Sequence, residues 1–130
     1  MASAPAFFSM FDEPFWGFVS RDDLHLQQCS SCSTLRYPPG ACCPNCLSIE
    51  AEWVPVSGKG HVLSWTTIHR QYLPAYPAPS TVVAVLLDEG PIMITHFDND
   101  DVGALRLDLP VTLTYSTPPD GYRLPKFGVA

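Results

Sequence analysis

All five cysteines of this 130-residue chain lie within residues 29–46, in the stretch CSSCSTLRYPPGACCPNC. Four of them form two C-x2-C pairs, Cys29 with Cys32 and Cys43 with Cys46, and ten residues separate the pairs. Such pairs present four thiolates on two tight turns, and a tetrahedral Zn²⁺ takes four soft ligands at about 2.3 Å. Because protein ligands then fill every coordination position, the metal is predicted to be structural and not catalytic.

The fifth cysteine, Cys42, is left over. It could replace Cys43 in a C-x3-C pair, but the shorter spacing and Pro44 directly after Cys43 favour Cys43 with Cys46. We expect Cys42 to be a small buried apolar residue, in preference to a thiol exposed near the metal. An odd number of clustered cysteines in a reducing compartment argues for metal binding and against disulfides. The same thiolates would also suit iron, and the sequence leaves that alternative open.

The charge of the chain limits its partners. Thirteen Asp and Glu face seven Lys and Arg, for a formal net charge of -6. Long-range electrostatics therefore repel nucleic acid and anionic membranes. No basic residue precedes the short apolar patch at the N-terminus, and no run approaches the ~18 apolar residues that span a bilayer. We expect a cytoplasmic protein that binds neither membrane nor nucleic acid.

Residues 1–24 are predicted to form a helical arm. Asp12 suits the N-cap of a short helix, and Glu13 and Pro14 suit its first turn. The arm holds six of the fifteen aromatic residues of the chain. These are Phe7, Phe8, Phe11, Phe15, Trp16 and Phe18. So much apolar surface must dock. Docking on the rest of the chain and docking on a partner both stay open.

Residues 25–55 carry the cysteine cluster, and residues 56–130 have the pattern of short strands. HVLSWTTIH alternates with period two, which places Val62 and Trp65 on opposite faces. TVVAVLL is a continuous apolar run, as expected of a strand covered on both faces, and DEGP predicts a hairpin turn into PIMITHF. VTLTY and RLPKF follow. Four or five short strands with one long proline-rich loop, RQYLPAYPAPS, predict a small OB-type barrel in a mainly β chain.

A series of short motifs runs in a fixed order through nearly the whole chain. They are FWG, LHL, C-x2-C, RYPP, C-P-x-C, SGKG, SWT and LDEGP. The series resembles the standalone zinc-ribbon/OB-fold proteins associated with thiolases. Glycine usually follows the second cysteine of each knuckle in that family, but Ser33 and Leu47 stand there in this chain. A left-handed turn would cost these two residues roughly 1 kcal/mol each.

The resemblance implies a fold and a role. The fold is an N-terminal helical arm, a rubredoxin-like zinc ribbon over residues 25–55 and a C-terminal OB-fold over residues 56–130. The role is that of a subunit in a hetero-oligomer, which binds a thiolase-like partner and its acyl-CoA substrate. Partners in this family include thiolases, polyketide acyltransferases and the aldolases that cleave steroid side-chain CoA thioesters.

No catalytic motif is legible in the sequence. The four histidines, His25, His61, His69 and His96, lie in neither a G-x-S-x-G nor an H-E-x-x-H frame. We interpret the chain as an accessory subunit without catalytic residues of its own. An acyl chain and a pantetheine arm require a narrow, largely apolar channel. The proline-rich loop would lie at the mouth of an OB-fold, and its candidate ligand-binding residues are His69, Arg70, Tyr72 and Tyr76.

Two further interpretations compete with this one. Zinc ribbons and OB-folds commonly bind single-stranded nucleic acid, so such a module is the alternative function. Residues 56–130 hold only five basic residues, which disfavours it. The acidic run beginning at Asp98 resembles a calcium loop, but Leu109 stands where an EF-hand needs a bidentate carboxylate. The run therefore predicts a solvated turn.

Overall fold

The computed structural model describes residues 10–74, 76–119 and 121–130. Phe7 and Phe8 of the predicted arm lie outside the described residues. The elements are α1 (Asp12–Ser20), β1 (His25–Cys29), β2 (Leu35–Arg36), β3 (Ala51–Pro55), β4 (Lys59–Ile68), β5 (Ser80–Leu87), β6 (Ile92–Phe97), β7 (Pro110–Ser116) and β8 (Leu124–Val129). Strands β1 to β3 form one sheet, and β4 to β8 form a closed barrel. The predicted fold class is confirmed. Among these residues, no helix has the length and apolar character that a bilayer crossing requires.

The helix begins one residue earlier than predicted. Phe11 occupies the N-cap position with a helical φ of -84 and ψ of -18, and no side-chain hydrogen bond caps the helix. Asp12 is therefore the first helical residue, and its prediction as the N-cap is wrong. An N-cap residue normally has extended backbone angles, and here the chain is already helical at Phe11. Asp12 and Glu13 still lie in the first turn, where the helix dipole favours negative charge.

The described part of the arm docks on the rest of the chain. Phe15 and Val19 are buried and belong to the same apolar cluster as Leu26 of β1 and Phe127 of β8. The hydroxyl of Tyr115 also accepts a hydrogen bond from the Leu24 backbone N–H at 3.0 Å. Arm, ribbon and barrel therefore share one core. Of the two alternatives that the sequence left open, the described residues of the arm show docking on the rest of the chain.

The ribbon sheet has β1 at its centre, between β2 and β3. Gln27 of β1 pairs with Arg36 of β2, and both side chains are buried. The Gln27 side-chain oxygen accepts hydrogen bonds from Arg36 Nε at 3.1 Å and from the Gly40 backbone N–H at 2.8 Å. Gln27 thus fixes the connector between the two C-x2-C pairs against the sheet.

Strand β4 departs from simple alternation at Leu63. It pairs with β5 through Val62 opposite Val85 and Trp65 opposite Val83, so one extra residue bulges between the two pairs. Since Val83 and Val85 share a face of β5, Val62 and Trp65 share a face of β4. The predicted placement on opposite faces is wrong. A period-two pattern carries no signal of a bulge.

Burial along β5 alternates, so the expected coverage of both faces is wrong. Thr81, Val83, Val85 and Leu87 fill the barrel interior and are buried, whereas Leu86 on the outer face is 39% exposed. The outer face is only partly covered by the arm and the ribbon. The predicted hairpin between β5 and β6 is confirmed by their antiparallel pairing.

The acidic run after β6 forms a short 3-10 helix, Asn99–Ala104. The Asp98 carboxylate caps it by accepting from the Asp100 backbone N–H at 3.1 Å. Asn99 and Asp100 are exposed, so the predicted solvated turn is confirmed.

A bidentate ion pair joins the end of the arm to the barrel. Arg123 Nε donates to Asp22 Oδ1 at 2.7 Å, and Arg123 Nη2 donates to Asp22 Oδ2 at 2.6 Å. The hydrogen bond from Arg123 holds the pKa of Asp22 below its usual value. The carboxylate in turn raises the pKa of Arg123. The ion pair therefore makes a contribution to the stability of the fold that depends on pH.

We expect Arg123→Gln to remove this acid-dependent contribution. A carboxyl whose folded pKa is lowered stabilises the fold above its unfolded pKa, about 3.9 for Asp, and the contribution is lost as pH falls through the folded value. The difference in unfolding free energy between the wild type and the variant should be constant above about pH 5 and shrink below about pH 4. Urea unfolding over this range measures it. Arg106→Gln is the control, because Arg106 is exposed and forms no ion pair among the described residues. A difference that stays constant with pH would contradict the prediction.

Candidate metal centre and ligand-binding loop

The two C-x2-C pairs lie on turns with the same hydrogen-bond pattern. The Ser33 N–H bonds to the Cys29 carbonyl at 2.9 Å, and the Leu47 N–H bonds to the Cys43 carbonyl at 3.0 Å. Ser33 has a φ of 65 and Leu47 a φ of 67. Both residues therefore have a left-handed backbone, at a cost of roughly 1 kcal/mol each. Both turns keep the knuckle shape without glycine.

The four sulfurs of these pairs meet in one cluster. All four Sγ atoms, from Cys29, Cys32, Cys43 and Cys46, lie within 4.8 Å of one another. Cys29 and Cys46 are 3.5 Å apart at their sulfurs, as are Cys32 and Cys43. Sulfurs at about 2.3 Å from a tetrahedral zinc ion are about 3.8 Å apart, so the set fits one ion with a small adjustment. The cysteines are positioned to bind a metal ion.

Hydrogen-bond donors around the cluster favour thiolates. The Thr34 hydroxyl lies 3.2 Å from Cys32 Sγ, and the Asn45 side-chain amide donates to the same sulfur at 3.7 Å. With the Thr34 backbone, these contacts lower the pKa of Cys32 to about 5. The Asn45 backbone N–H also donates to Cys43 Sγ at 3.3 Å. Because metal ligands must be deprotonated, these donors reduce the cost of binding.

The thiol of Cys46 holds its proton more strongly than an ordinary cysteine does. A hydrogen bond with the Ser48 backbone lowers the pKa of Cys46. Hydrogen bonds between the Cys46 side chain and the thiols of Cys29 and Cys32 raise that pKa to about 12. A metal ion binding here would displace that proton.

Cys42 lies outside the cluster and is exposed. Our expectation that it is buried is wrong, and the second alternative, an exposed thiol near the metal-binding cysteines, is correct. The reason lies in its neighbour. Cys43 is buried, with its backbone N–H bonded to the Ser48 carbonyl at 2.9 Å, and takes the inward position. Cys42, directly before it, lies outside the set of four sulfurs.

The four predicted ligand-binding residues lie on the segment between β4 and β5, but they divide into two groups. His69 and Arg70 are exposed directly after β4. The Arg70 guanidinium lies 5.4 Å from the centre of the Tyr72 ring, which is 72% exposed. Tyr76 instead lies against the barrel, where its ring is parallel to that of His96 at 5.9 Å. The structure therefore places Tyr76 apart from the exposed group.

Tyr76 and His96 line a cavity of about 400 Å³ between the proline-rich loop and the ends of β6 and β8. The Ser80 hydroxyl lies 3.2 Å from His96 Nδ1, and Lys126 Nζ lies 3.4 Å from Asp98 Oδ2. Burial lowers the pKa of His96. The imidazole is therefore neutral at neutral pH.

The sequence prediction missed His96 and Lys126 as cavity residues. They are partners in the parallel pairing of β6 with β8, which joins distant parts of the chain. The only sequence signal is a basic residue inside each apolar strand, and such a residue does not reveal its partner.

Two family models match the chain. The rubredoxin-like zinc ribbon domain of ChsH2 matches residues 18–49, and the C-terminal OB-fold domain of ChsH2 matches residues 53–116. A solved chain of the Ltp2-ChsH2(DUF35) aldolase is similar over 97% of this chain and 98% of that chain, with 31% identity and a TM-score of 0.84. The chain belongs to the ChsH2-type DUF35 family. The resemblance inferred from the motif series is confirmed, as is zinc as the predicted cofactor.

Two curated relatives are similar to the chain over most of its length. A probable enoyl-CoA hydratase alpha subunit of Thermomonospora curvata is 33% identical over 117 residues, 89% of this chain and 37% of the relative. The 3-oxo-4,17-pregnadiene-20-carboxyl-CoA hydratase alpha subunit of Mycobacterium tuberculosis is 30% identical over 106 residues, 82% of this chain and 34% of the relative. The chain thus spans about a third of the length of these curated relatives.

A DUF35 protein of unknown function from Sulfolobus solfataricus has a TM-score of 0.65 at 13% identity, over 94% of this chain and 87% of that one. This likeness concerns the fold alone.

Proposed function

We propose that this chain is a non-catalytic accessory subunit that binds a thiolase-like partner and the partner's acyl-CoA substrate. The observation that carries the proposal is the similarity, over 97% of the chain, to a chain of the Ltp2-ChsH2(DUF35) aldolase, whose name pairs ChsH2 with Ltp2. The names of both curated relatives add support. Each relative is named as the alpha subunit of a hydratase, and each name refers to a CoA thioester.

The metal centre supports a structural role within that complex. The sulfurs of Cys29, Cys32, Cys43 and Cys46 would hold one zinc ion and leave no coordination position for water or substrate. Zinc bound there would hold the ribbon together, and the partner would supply the reacting groups. The ribbon is connected to the barrel through the shared core, so it sets the barrel's orientation in the complex.

The loop between β4 and β5 is the proposed contact with acyl-CoA. CoA carries phosphates that need a local cation, because the chain as a whole has a net charge of -6. Arg70 is exposed and offers a planar guanidinium, which binds phosphate in a bidentate manner, and Tyr72 beside it offers an exposed ring. Tyr76 borders the cavity that His96 also lines, and the two rings give it an aromatic wall.

Removal of this subunit is expected to inactivate its partner. The tagged chain is purified from its native extract, and a thiolase-family protein is identified in the complex by mass spectrometry. That protein is then assayed on acyl-CoA with and without the chain. We expect kcat/KM to fall at least about tenfold without it, which equals about 1.4 kcal/mol of transition-state stabilisation.

The proposed contact between Arg70 and acyl-CoA is tested in the same assay. Adding back the Arg70→Ala chain should restore assembly but raise KM for acyl-CoA, whereas Arg106→Ala, at an exposed arginine outside the loop, should match the wild type. Partner activity that does not depend on the chain, or a complex without a thiolase-family protein, would contradict the proposed function.

A further inference from the structure

Among the described residues, the second half of β4 has a strand partner on one side only. β4 pairs with β5 from Gly60 to Ile68 but with β7 only over residues 59–61. The Val62 backbone then bonds to residues 108 and 109. Beyond Val62, no residue in the described part of the chain hydrogen-bonds the side of β4 that faces away from β5. This side of residues 63–68 is hereafter the free edge.

Hydrogen bonds at the end of β5 show which of its residues face β4. In an antiparallel strand, the N–H and C=O of one residue point to the same side, and successive residues point to opposite sides. The Asp88 N–H bonds to the Lys59 carbonyl on β4, whereas the Leu87 N–H bonds to the Pro91 carbonyl, toward β6. Even-numbered residues of β5 therefore direct their backbone groups toward β4.

The register then assigns the residues of the free edge. Thr66 lies opposite Val82, an even-numbered residue of β5, so the backbone groups of Thr66 face β5. Those of Trp65 and Thr67 consequently point outward, to the free edge. Both residues offer an N–H and a C=O that no described residue uses.

The free edge lacks the features that normally protect an exposed strand. Its sequence, LSWTTI, contains neither a charged residue nor a proline. Leu63 is 38% exposed and Trp65 is 41% exposed. Native proteins usually cover such edges, charge them or interrupt them with proline, because an uncovered edge pairs with other chains. An uncharged apolar edge of this kind is suited to pairing.

We propose that β4 accepts an extended segment of the thiolase-like partner as an added strand, an inference that rests on the proposed function. A row of outward N–H and C=O groups is satisfied most directly by another extended backbone, and exposed side chains on the strand add specificity. The occupant is a strand with an apolar residue to cover Leu63 and Trp65.

Charge favours a partner over a second copy of this chain. Residues 59–71 contain no Asp or Glu, while Lys59, His69 and Arg70 flank the free edge. Self-pairing of this segment would bring basic residues of two copies together, with no carboxylate from either segment between them. Two copies, each with a net charge of -6, would also repel each other at long range.

Amide hydrogen exchange tests the inference directly. In the isolated chain, the Trp65 and Thr67 amides should exchange rapidly, while the Thr66 amide, bonded to β5, should exchange slowly. The thiolase-family protein identified by co-purification is then added, and exchange is quenched at intervals. We expect protection of Trp65 and Thr67 to rise at least about tenfold, as a newly formed backbone hydrogen bond requires.

Matched proline variants test the hydrogen-bond directions. Thr67→Pro removes a donor from the free edge and leaves the pairing with β5 intact, so we expect partner affinity to fall roughly five- to tenfold with little loss of stability. Thr67→Val keeps the donor and the branched shape, and should bind normally. Thr66→Pro removes a bond to β5 and should lower the melting temperature. Equal destabilisation by Thr66→Pro and Thr67→Pro would overturn the assignment.

The outcomes separate this inference from the proposed function. If the thiolase-family protein binds while Trp65 and Thr67 still exchange rapidly, the added strand is refuted and the proposed function stands. If no thiolase-family protein binds, both fail. If protection instead rises with the concentration of the chain alone, and ultracentrifugation shows a dimer, a second copy occupies the free edge and the inference is overturned.

Discussion

Cys43→Ser is expected to lower the zinc content from one ion per chain to nearly none, while Cys42→Ser leaves it unchanged. Cys43 is fully buried, and its sulfur lies 3.5 Å from that of Cys32 inside the cluster. Cys42, its direct neighbour, is exposed and lies outside the cluster. Apparent zinc binding contributes about 10 kcal/mol or more to the folding of such modules, so loss of one thiolate removes the main stabilising interaction of the ribbon.

Elemental analysis by mass spectrometry measures this effect, and it also reports whether iron is present. Hydrogen exchange supplies the structural readout. Residues 27–55 should lose protection in Cys43→Ser and keep it in Cys42→Ser. Because Leu24 and Leu26 pack in the same core as Phe127, we also expect the melting temperature of the barrel to fall. Stoichiometric zinc in Cys43→Ser would show that the ligand assignment is wrong.

The metal centre could be predicted from sequence because its parts are local. Each C-x2-C pair builds its own turn, and a hydrogen bond within four residues closes it, as between Ser33 and Cys29. The spacing alone therefore brings the sulfurs of one pair close together. Ser33 and Leu47, which have left-handed backbone angles, stand where the family that the motif series resembles usually has glycine. The exposure of Cys42 did not follow, because it depends on which of two adjacent residues turns inward.

The cavity and the free edge could not be predicted because they depend on distant pairings. His96 and Lys126 become neighbours only when β6 and β8 pair in parallel. The free edge exists because β4 continues beyond residue 61, where its pairing with β7 ends. The bulge at Leu63 then sets which residues face that edge, and no pattern within HVLSWTTIH reveals it. Local patterns predicted the elements, and long-range register determined the surfaces.

The connection between arm, ribbon and barrel explains why an accessory subunit would keep a metal. Asp22 at the end of the arm is paired with Arg123 on the barrel, and the Leu24 backbone donates to Tyr115. Metal bound in the ribbon would therefore stabilise the segment on which these barrel contacts depend. In the proposed complex, a barrel held in this way would present the Arg70 loop and the free edge to the partner in a fixed orientation.

Gly60→Ala is expected to lower the stability of the barrel by about 3 kcal/mol and its melting temperature by about 10 °C. A Cβ at this position would overlap the Leu86 backbone oxygen and approach Val85 Cγ1 to 2.7 Å. Gly60 pairs with Leu87 on one side and with Val111 on the other. Because strands hold it from both sides, β4 cannot shift to make room.

Gly103→Ala is the matched control, since a Cβ there meets nothing within 4 Å. We expect that variant to stay within about 0.5 kcal/mol of the wild type in urea unfolding. A Gly60→Ala chain of wild-type stability would mean that β4 can move at the point where the barrel closes. The free edge begins directly after that point, so its position relative to β5 would then not be fixed. A fixed position of Gly60 between β5 and β7 is therefore a condition for presenting Trp65 and Thr67 to a partner strand.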